Sequence, residues 1–193
     1  MIVLNKKGDV VGYYNKSHLV PFGEYIPLRK YLPNFLQPVA NAIGEFGKGE
    51  GPKIVELDGL PSIGGIICYE VIFPGKIVDE NLRPDFLVNL TNDGWYGDSF
   101  GPYQHFVATK MRAVEEGITI IRAANNGISG MITPLGKEKG ILPLNYVGFS
   151  DVKLVKSLHN KTIYASFDNW LIVTFCLILL FLGIIRIKCG RML

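Results

Sequence analysis

Hydrophobic and polar residues alternate, or apolar residues form short runs, along much of the chain up to residue 133, and both patterns predict β-strands. The predicted strands are the opening residues and the ranges 10–14, 53–57, 63–68, 85–93, 118–124 and 128–133. Asn126-Gly127 separates the last two strands and predicts a tight hairpin turn.

Helical spacing appears between these strands. An amphipathic helix is predicted over 101–117, where apolar residues recur at three- and four-residue intervals: Tyr103, Val107, Met111 and Val114. Shorter helices are predicted at 28–32, within a proline- and glycine-rich loop over 19–52, and at 73–82. Residues 145–169 are interpreted as a linker. Strands that alternate with helices indicate an α/β layered domain.

The last apolar run differs in length and flanks. The stretch WLIVTFCLILLFLGII begins at Trp170 and ends before Arg186, and as a helix it is about 24 Å long against a bilayer core of about 30 Å. Ile187 and the snorkelling side chains of Arg186 and Lys188 close most of that gap. A buried core helix is the alternative, but tryptophan at one end and basic residues at the other are typical of a membrane interface. The sequence therefore predicts a transmembrane helix over 170–187.

Charge at the two ends of this helix predicts its orientation. The C-terminal flank RIKCGRML carries Arg186, Lys188 and Arg191 and no acid, whereas the N-terminal flank carries Asp168 and no base. Positive-inside bias places 188–193 in the cytoplasm, and residues 1–169 on the periplasmic side of a bacterial inner membrane. The same three cations equal the net charge of +3, so the rest of the chain is neutral and a nucleic-acid-binding surface is not expected.

Cys68 is the chemically notable cysteine, because Cys176 and Cys189 lie in or beyond the predicted span and cannot reach it. An unpaired thiol in an oxidising compartment suggests reactivity, although a small core residue is the alternative. At the end of a strand and before a helix, a thiolate would be favoured and could attack an ester or amide carbonyl to form a thioester.

The three histidines show no metal-ligand spacing, so no metal site is predicted.

Acyl transfer by a thiolate also needs a cation or N–H pair for the oxyanion. Lys16 is the candidate, with Glu24 to orient it, and the alternative is a solvated surface lysine. His18 is either a base or a hydrogen-bonded loop residue. Glu70 either shares hydrogen bonds with Lys16 or caps a helix.

An aromatic loop follows the strand over 85–93. Trp95, Tyr96 and Phe100 suit an apolar substrate cleft, and the alternative is that they plug the core.

Four ordered motifs, KSHLVPFGEYIPLR, GIICYEVIFPG, NDGWYG…GPYQHF…MRAVE and RAANNGISGMITPLGK, precede this terminal span. Together they resemble the C-terminal part of the bacterial apolipoprotein N-acyltransferases, which belong to the nitrilase superfamily. The resemblance implies the C-terminal part of a nitrilase-type α-β-β-α sandwich over 1–165, followed by the transmembrane helix and a cytoplasmic tail. It also implies transfer of an acyl chain from a phospholipid to the α-amino group of a diacylglyceryl-cysteine lipoprotein, without a cofactor.

Matched motif by motif, the resemblance assigns Cys68 as nucleophile and Lys16 as the triad lysine, with Glu24 and Glu70 as supporting acids. The expected substrate-binding residues are Trp95, Tyr96, Tyr69 and His18.

The chain departs from that family in one respect. The family's general-base glutamate lies many tens of residues before the lysine motif, whereas this chain begins about fifteen residues before Lys16. We therefore expect a fragment that is inactive alone, with the missing N-terminal half as a partner. The alternatives are a membrane-anchored nitrilase-type amidase and a non-catalytic remnant that binds lipid or lipoprotein.

Overall fold

The computed structural model describes residues 1–31, 33, 46–79 and 83–190. Within these ranges the strands are β1 (Ile2–Leu4), β2 (Val10–Tyr13), β3 (Ile54–Leu57), β4 (Leu60–Ile67), β5 (Phe86–Asn92), β6 (Thr119–Asn125), β7 (Ser129–Ile132) and β8 (Glu138–Leu142). The α-helices are α1 (Gly101–Glu116), α2 (Ile163–Phe167) and α3 (Trp170–Gly190).

A six-stranded mixed sheet lies at the centre of the fold, in the order β3-β4-β5-β6-β7-β8. Its three middle strands, β4, β5 and β6, are parallel, while the outer strands pair antiparallel. The first two strands form a separate antiparallel ribbon. The predicted α/β class, with one long apolar helix near the C-terminus, is confirmed.

The core lies between this sheet and α1. Alternation along β5 sends Leu87, Asn89 and Thr91 to the buried face, because successive side chains of a strand point to opposite faces. The apolar cluster there comprises Ile66, Val71, Ile77, Leu87, Phe106, Ala113, Ile118, Ile120, Ile128 and Ile132. The other face of β5 carries Phe86, Val88 and Leu90, which are only half-buried.

Helix α1 forms where it was predicted, but it turns its apolar stripe outward. The predicted stripe residues are about half exposed: Tyr103, Val107, Met111 and Val114. The buried face instead includes His105, Thr109 and Arg112. Polar side chains that reach into the core from β5 and β6 require hydrogen-bonding partners, and this face of the helix supplies them.

The expected helix at 73–82 is wrong for the residues that the structure describes. A 3₁₀ turn over Cys68–Ile72, here called the Cys68 turn, ends at Phe73, and no helix continues through 73–79. Pro74 has no amide hydrogen to donate, and Gly75 adopts a left-handed conformation with φ of 64°. Residues 80–82 lie outside the described ranges.

Two other predicted segments also differ from expectation. The helix expected at 28–32 is a short 3₁₀ turn over Arg29–Tyr31, and residue 32 lies outside the described ranges. The linker expected over 145–169 contains α2 and lies against the domain. There Leu158 donates its amide to Gly117 O, and Thr119 donates its hydroxyl to Val155 O.

Helix α3 contains an 18-residue stretch, Trp170–Ile187, with a mean hydropathy of 2.6, and none of that stretch is buried. Length and composition therefore suit a membrane crossing. The side chains after Ile187 lie outside the described residues, and the predicted domain boundaries remain predictions.

Gly65→Ala is expected to destabilise the domain. A β-carbon at Gly65 would lie 2.7 Å from the ring of Tyr14, so the substitution overpacks β4 and should lower the free energy of unfolding by about 1–3 kcal/mol. Gly47→Ala is the matched control, because a β-carbon there meets nothing within 4 Å. Thermal unfolding measures both variants, and equal melting temperatures would contradict the packing of Tyr14 on β4.

Candidate active site

Three parallel strands end at one edge of the sheet and bring their following residues together. Cys68 follows β4, Asp93 follows β5 and Asn126 follows β6. In open α/β sheets, ligands bind at the carboxyl ends of the strands. This edge of the sheet is therefore the first candidate for the active site.

Cys68 is held in an unusual backbone conformation. Its φ is 50°, a left-handed value that costs a non-glycine residue on the order of 1–3 kcal/mol and persists only where the surroundings enforce it. The thiol is free and half-buried. Cys68 is the first residue of the five-residue 3₁₀ turn and no helix follows over 73–79, so the prediction of a helix after the thiol is wrong for the described residues.

Glu70, in the same turn, connects three parts of the chain. Its carboxylate is 3% exposed, and Oε1 accepts hydrogen bonds from the Tyr14 hydroxyl at 2.7 Å and from the amide and hydroxyl of Ser17 at 2.6 and 2.7 Å. The His18 amide donates to the same oxygen at 3.2 Å, and the Ile67 amide donates to Oε2 at 2.7 Å. Glu70 therefore fastens the segment after β2 to the Cys68 turn.

Lys16 lies in that fastened segment. Its Nζ donates to both carboxylate oxygens of Glu24, at 2.7 and 2.8 Å, and its side chain is 10% exposed. The Val20 amide also donates to Glu24, which holds the carboxylate in place. Lys16 is therefore not a solvated surface lysine. Its ammonium bonds Glu24, and Glu70 bonds the backbone just after Lys16 rather than Nζ. The role of Lys16 at an oxyanion remains a prediction.

A buried polar network lies beneath Cys68. His105 on α1 places Nδ1 2.8 Å from Asp93 Oδ1 and Nε2 3.1 Å from the carbonyl oxygen of Cys68. Arg122 on β6 donates Nη2–H to Asp93 Oδ2 at 2.7 Å, and Nη1–H to Asn89 Oδ1 at 2.5 Å and Thr109 Oγ1 at 3.1 Å. These five side chains are at most 2% exposed.

Sequence reasoning missed this network, although two signals were present. An isolated charge inside an apolar strand needs a buried partner, and Arg122 is such a charge in ITIIRAA. The alternation of β5 also directs Asn89 and Thr91 inward, and Asp93 follows in the same phase.

Burial and charge act against each other in this network. Burial alone would raise the pKa of Asp93, but the hydrogen bond from His105 and the charge of Arg122 outweigh it and hold that pKa below its usual value. Burial lowers the pKa of the Arg122 guanidinium, and Asp93 opposes that shift. Burial, followed by the charge of Cys68, raises the pKa of Tyr96, which is consistent with its position near the thiol.

The remaining predicted site residues form two groups. In the first, His18 stacks on Phe73 at 4.7 Å between ring centroids, and Tyr69 meets the same ring edge-on at 5.0 Å. All three line a groove of about 830 Å³. In the second, the Tyr96 ring lies 5.6 Å from His105.

Trp95 does not plug the core, because it is 85% exposed, and neither does the exposed Phe100. A second groove, of about 720 Å³, lies along β6, β7 and 145–152, but none of the predicted site residues lines it. Among the residues that the structure describes, there is no group of three or more His, Cys, Asp or Glu side chains that could hold a metal ion.

Comparison with known proteins gives consistent matches. The family profile described as carbon-nitrogen hydrolase matches residues 1–150. A protein of Bradyrhizobium diazoefficiens named apolipoprotein N-acyltransferase is 42% identical over 164 residues, which is 84% of this chain and 30% of that protein. One of the same name from Rickettsia bellii is 42% identical over 187 residues, or 96% of this chain and 36% of that protein. The chain thus spans about a third of the length of these relatives.

Solved structures show the same fold. A mutant of the amidase from Nesterenkonia sp. AN1 matches with a TM-score of 0.50 and 19% identity, covering 73% of this chain and 51% of that one. A carbon-nitrogen hydrolase from Helicobacter pylori G27 matches with a TM-score of 0.54 and 14% identity, covering 74% of this chain and 51% of that one.

Asp93→Asn is expected to destabilise the protein at neutral pH and much less in acid. A carboxyl group whose pKa is lowered on folding stabilises above its unfolded pKa, near 3.9, and this contribution disappears as the pH falls through the lower folded pKa. At neutral pH the substitution leaves Arg122 buried without its charged partner, at a cost of about 3–5 kcal/mol.

Thermal unfolding between pH 7 and acid measures this difference, with the exposed Asp98→Asn as control. The gap in melting temperature between wild type and Asp93→Asn should narrow as the pH falls below about 4. A gap that is independent of pH would contradict the ionised Asp93–Arg122 pair.

Proposed function

Because this chain belongs to the carbon-nitrogen hydrolase family, we propose that it carries the nucleophile of a membrane-bound apolipoprotein N-acyltransferase. The acyl donor is a phospholipid, and the acceptor is the α-amino group of a diacylglyceryl-cysteine at the start of a lipoprotein. The names of relatives that are about 40% identical over most of this chain support this choice.

One observation carries the proposal. Cys68 offers a free thiol at the carboxyl edge of the parallel strands, and Glu70 fastens the segment that holds Lys16 to the same turn. A nucleophile and a buried cation are thereby kept on connected, rigid pieces of backbone. This is the arrangement that stepwise acyl transfer requires.

In the proposed reaction, the Cys68 thiolate attacks the ester carbonyl of the phospholipid. The Lys16 ammonium stabilises the resulting oxyanion. Collapse of this tetrahedral intermediate breaks the carbon–oxygen ester bond and leaves the acyl chain on Cys68 as a thioester. The leaving oxygen takes the proton that the general base removed from the thiol and departs as the hydroxyl of a lysophospholipid. The lipoprotein amine then attacks the thioester, forms the amide and frees the thiol. No step needs a cofactor.

The apolar groove beside Tyr69 and Phe73 has a volume suited to part of an acyl chain. His18 borders it and binds substrate in this proposal. The exposed aromatic rings of Trp95 and Tyr96 complete the binding surface in this proposal, because such groups suit a lipid substrate.

The thiol proton needs an acceptor, and both candidate carboxylates have other partners. Glu24 binds Lys16 and Val20, and every hydrogen bond of Glu70 described above is to Tyr14, Ser17, His18 or Ile67. Neither carboxylate is therefore assigned as the general base. We propose that the base comes from the remaining part of the enzyme, so that residues 1–193 alone do not catalyse the transfer. The half-buried apolar face of β5 is then covered by the remaining part of the enzyme, as a partner.

Cys68→Ala is expected to abolish transfer, and wild-type enzyme incubated with phospholipid should carry an acyl group on Cys68. The thioester follows directly from the proposed chemistry, and mass spectrometry of the cysteine peptide detects it. Cys176→Ala is the control, since that thiol lies in α3 and should be dispensable. Undiminished lipoprotein acylation by Cys68→Ala would disprove the assignment, and ammonia release from small amides would favour an amidase.

Lys16→Ala is expected to lower turnover by about 10²–10³-fold, the usual cost of losing one oxyanion-stabilising group. Lys6→Ala is the control, because Lys6 is exposed and does not line the groove beside Tyr69 and Phe73. Conversion of diacylated to triacylated lipoprotein by the whole enzyme measures both variants. A loss below about threefold, with folding intact, would remove Lys16 from the mechanism.

We further propose that α3 crosses the bacterial inner membrane with its C-terminus in the cytoplasm and the α/β domain in the periplasm. Asp168 before the helix and the basic residues after it support this orientation. Alkaline phosphatase fused after Leu193 in the whole protein should be inactive, because it requires the periplasm. Phosphatase activity at that site would reverse the orientation.

A further inference from the structure

We propose that His105 is a positioning residue that holds Cys68 in its left-handed backbone conformation through a hydrogen bond from Nε2–H to the Cys68 carbonyl oxygen. Asp93 and Arg122 in turn hold the imidazole. As a statement about catalysis, this inference rests on the proposed function. As a statement about the thiol's position, it does not.

The direction of the hydrogen bond follows from the acceptor. A backbone carbonyl oxygen only accepts, so Nε2, at 3.1 Å, carries a proton. The Asp93 carboxylate at 2.8 Å from Nδ1 also accepts, which favours a proton on that nitrogen too. Arg122 Nη2 approaches Nδ1 at 3.3 Å, but its shorter contact, 2.7 Å, is to Asp93. Both contacts are donated together only when each ring nitrogen carries a proton, and in that form Nδ1 donates to Asp93 while Nε2 donates to Cys68.

The imidazole has little freedom to do otherwise. His105 and Asp93 are each 2% exposed, and Arg122 donates to the other carboxylate oxygen of Asp93, Oδ2, at 2.7 Å. The backbone of Gly127 packs directly against the Asp93 carboxylate, because a β-carbon at Gly127 would lie 2.0 Å from Asp93 Oδ2. Residues on three elements, α1, β6 and the turn after β5, therefore fix the orientation of the His105 ring.

The residue that this ring contacts, Cys68, is the one with the strained backbone. A φ of 50° at a cysteine is strained, and a hydrogen bond to the carbonyl of the same residue restrains the peptide plane that follows the nucleophile. Glu70 restrains the preceding side by accepting from the Ile67 amide. The nucleophile is thus held from both sides, by two buried groups on different elements.

Two isosteric substitutions separate this role from simple filling of the core. The amide nitrogen of His105→Gln reaches about the position of Nε2 and can still donate to Cys68 O. The amide nitrogen of His105→Asn reaches about the position of Nδ1 and can donate only to Asp93. His159→Gln is the matched control, since His159 is exposed.

The experiment uses the whole membrane-embedded enzyme and two readouts. The first is the rate of Cys68 alkylation by iodoacetamide, which requires no acyl substrate. Without this hydrogen bond the strained backbone of Cys68 can relax and move the thiol from its present position, so the rate in His105→Asn should fall by at least about tenfold, while His105→Gln and His159→Gln stay within about threefold of wild type. The second is lipoprotein acylation, where His105→Asn should lose kcat by about 10²-fold with little change in KM.

Equal alkylation rates in His105→Gln and His105→Asn would overturn the inference, whether both fall or neither does. If alkylation follows the expected order and wild type transfers no acyl group, the inference stands and the proposed function fails. If His105→Asn does not fold, nitrogen NMR of wild-type protein labelled with ¹⁵N-histidine decides. A protonated Nε2 at His105, identified by its loss in His105→Gln, supports the proposal, and an unprotonated one overturns it.

Discussion

The buried carboxylate of Glu70 is the constraint on which the rest of the site depends. Removing a carboxylate from water costs several kcal/mol unless donors replace the water, and here four donors meet one oxygen and a fifth meets the other. The donors come from the end of β2, the loop after it and the end of β4. Any movement of these three pieces relative to one another leaves a buried charge with fewer partners. The segment that contains Lys16 is therefore kept against the turn that begins with Cys68.

A second buried charge pair explains why α1 has a polar inner face. Arg122 and Asp93 are both inside the domain, and each needs further hydrogen bonds to offset its burial. Thr109 and His105 on α1 supply them, so the helix must turn this side toward the sheet and leave its apolar stripe half exposed. The electrostatics of the core thus decide the rotation of the helix, and that rotation brings His105 under the carbonyl of Cys68.

The sequence predicted the class and most elements of the fold because their signals are local. The parallel strands, the Asn126-Gly127 hairpin and helix α1 follow from apolar patterning and turn chemistry. The helix expected after Cys68 is absent over its described residues, 73–79, because Pro74-Gly75 outweighed the weak helical pattern around it. The resemblance to N-acyltransferases identified the residues around Lys16 and Cys68. Arg122 in ITIIRAA and the alternation of β5 indicated buried polar groups, but their meeting with His105 could not be predicted, because Asp93, His105 and Arg122 lie on three elements whose alignment is known only in three dimensions.

Hydrogen–deuterium exchange at single amides tests the central claim, that the Glu70 carboxylate joins the Lys16 segment to the Cys68 turn. In wild type the amides of Ser17 and Ile67 should be protected. In Glu70→Gln, which keeps the side chain's shape but removes its charge, they should exchange at least about tenfold faster, since hydrogen bonds to a charged group contribute about 1.5–3 kcal/mol. The amide of Leu158, which donates to Gly117 O, should not change. Unchanged protection at Ser17 and Ile67 in Glu70→Gln would contradict the account.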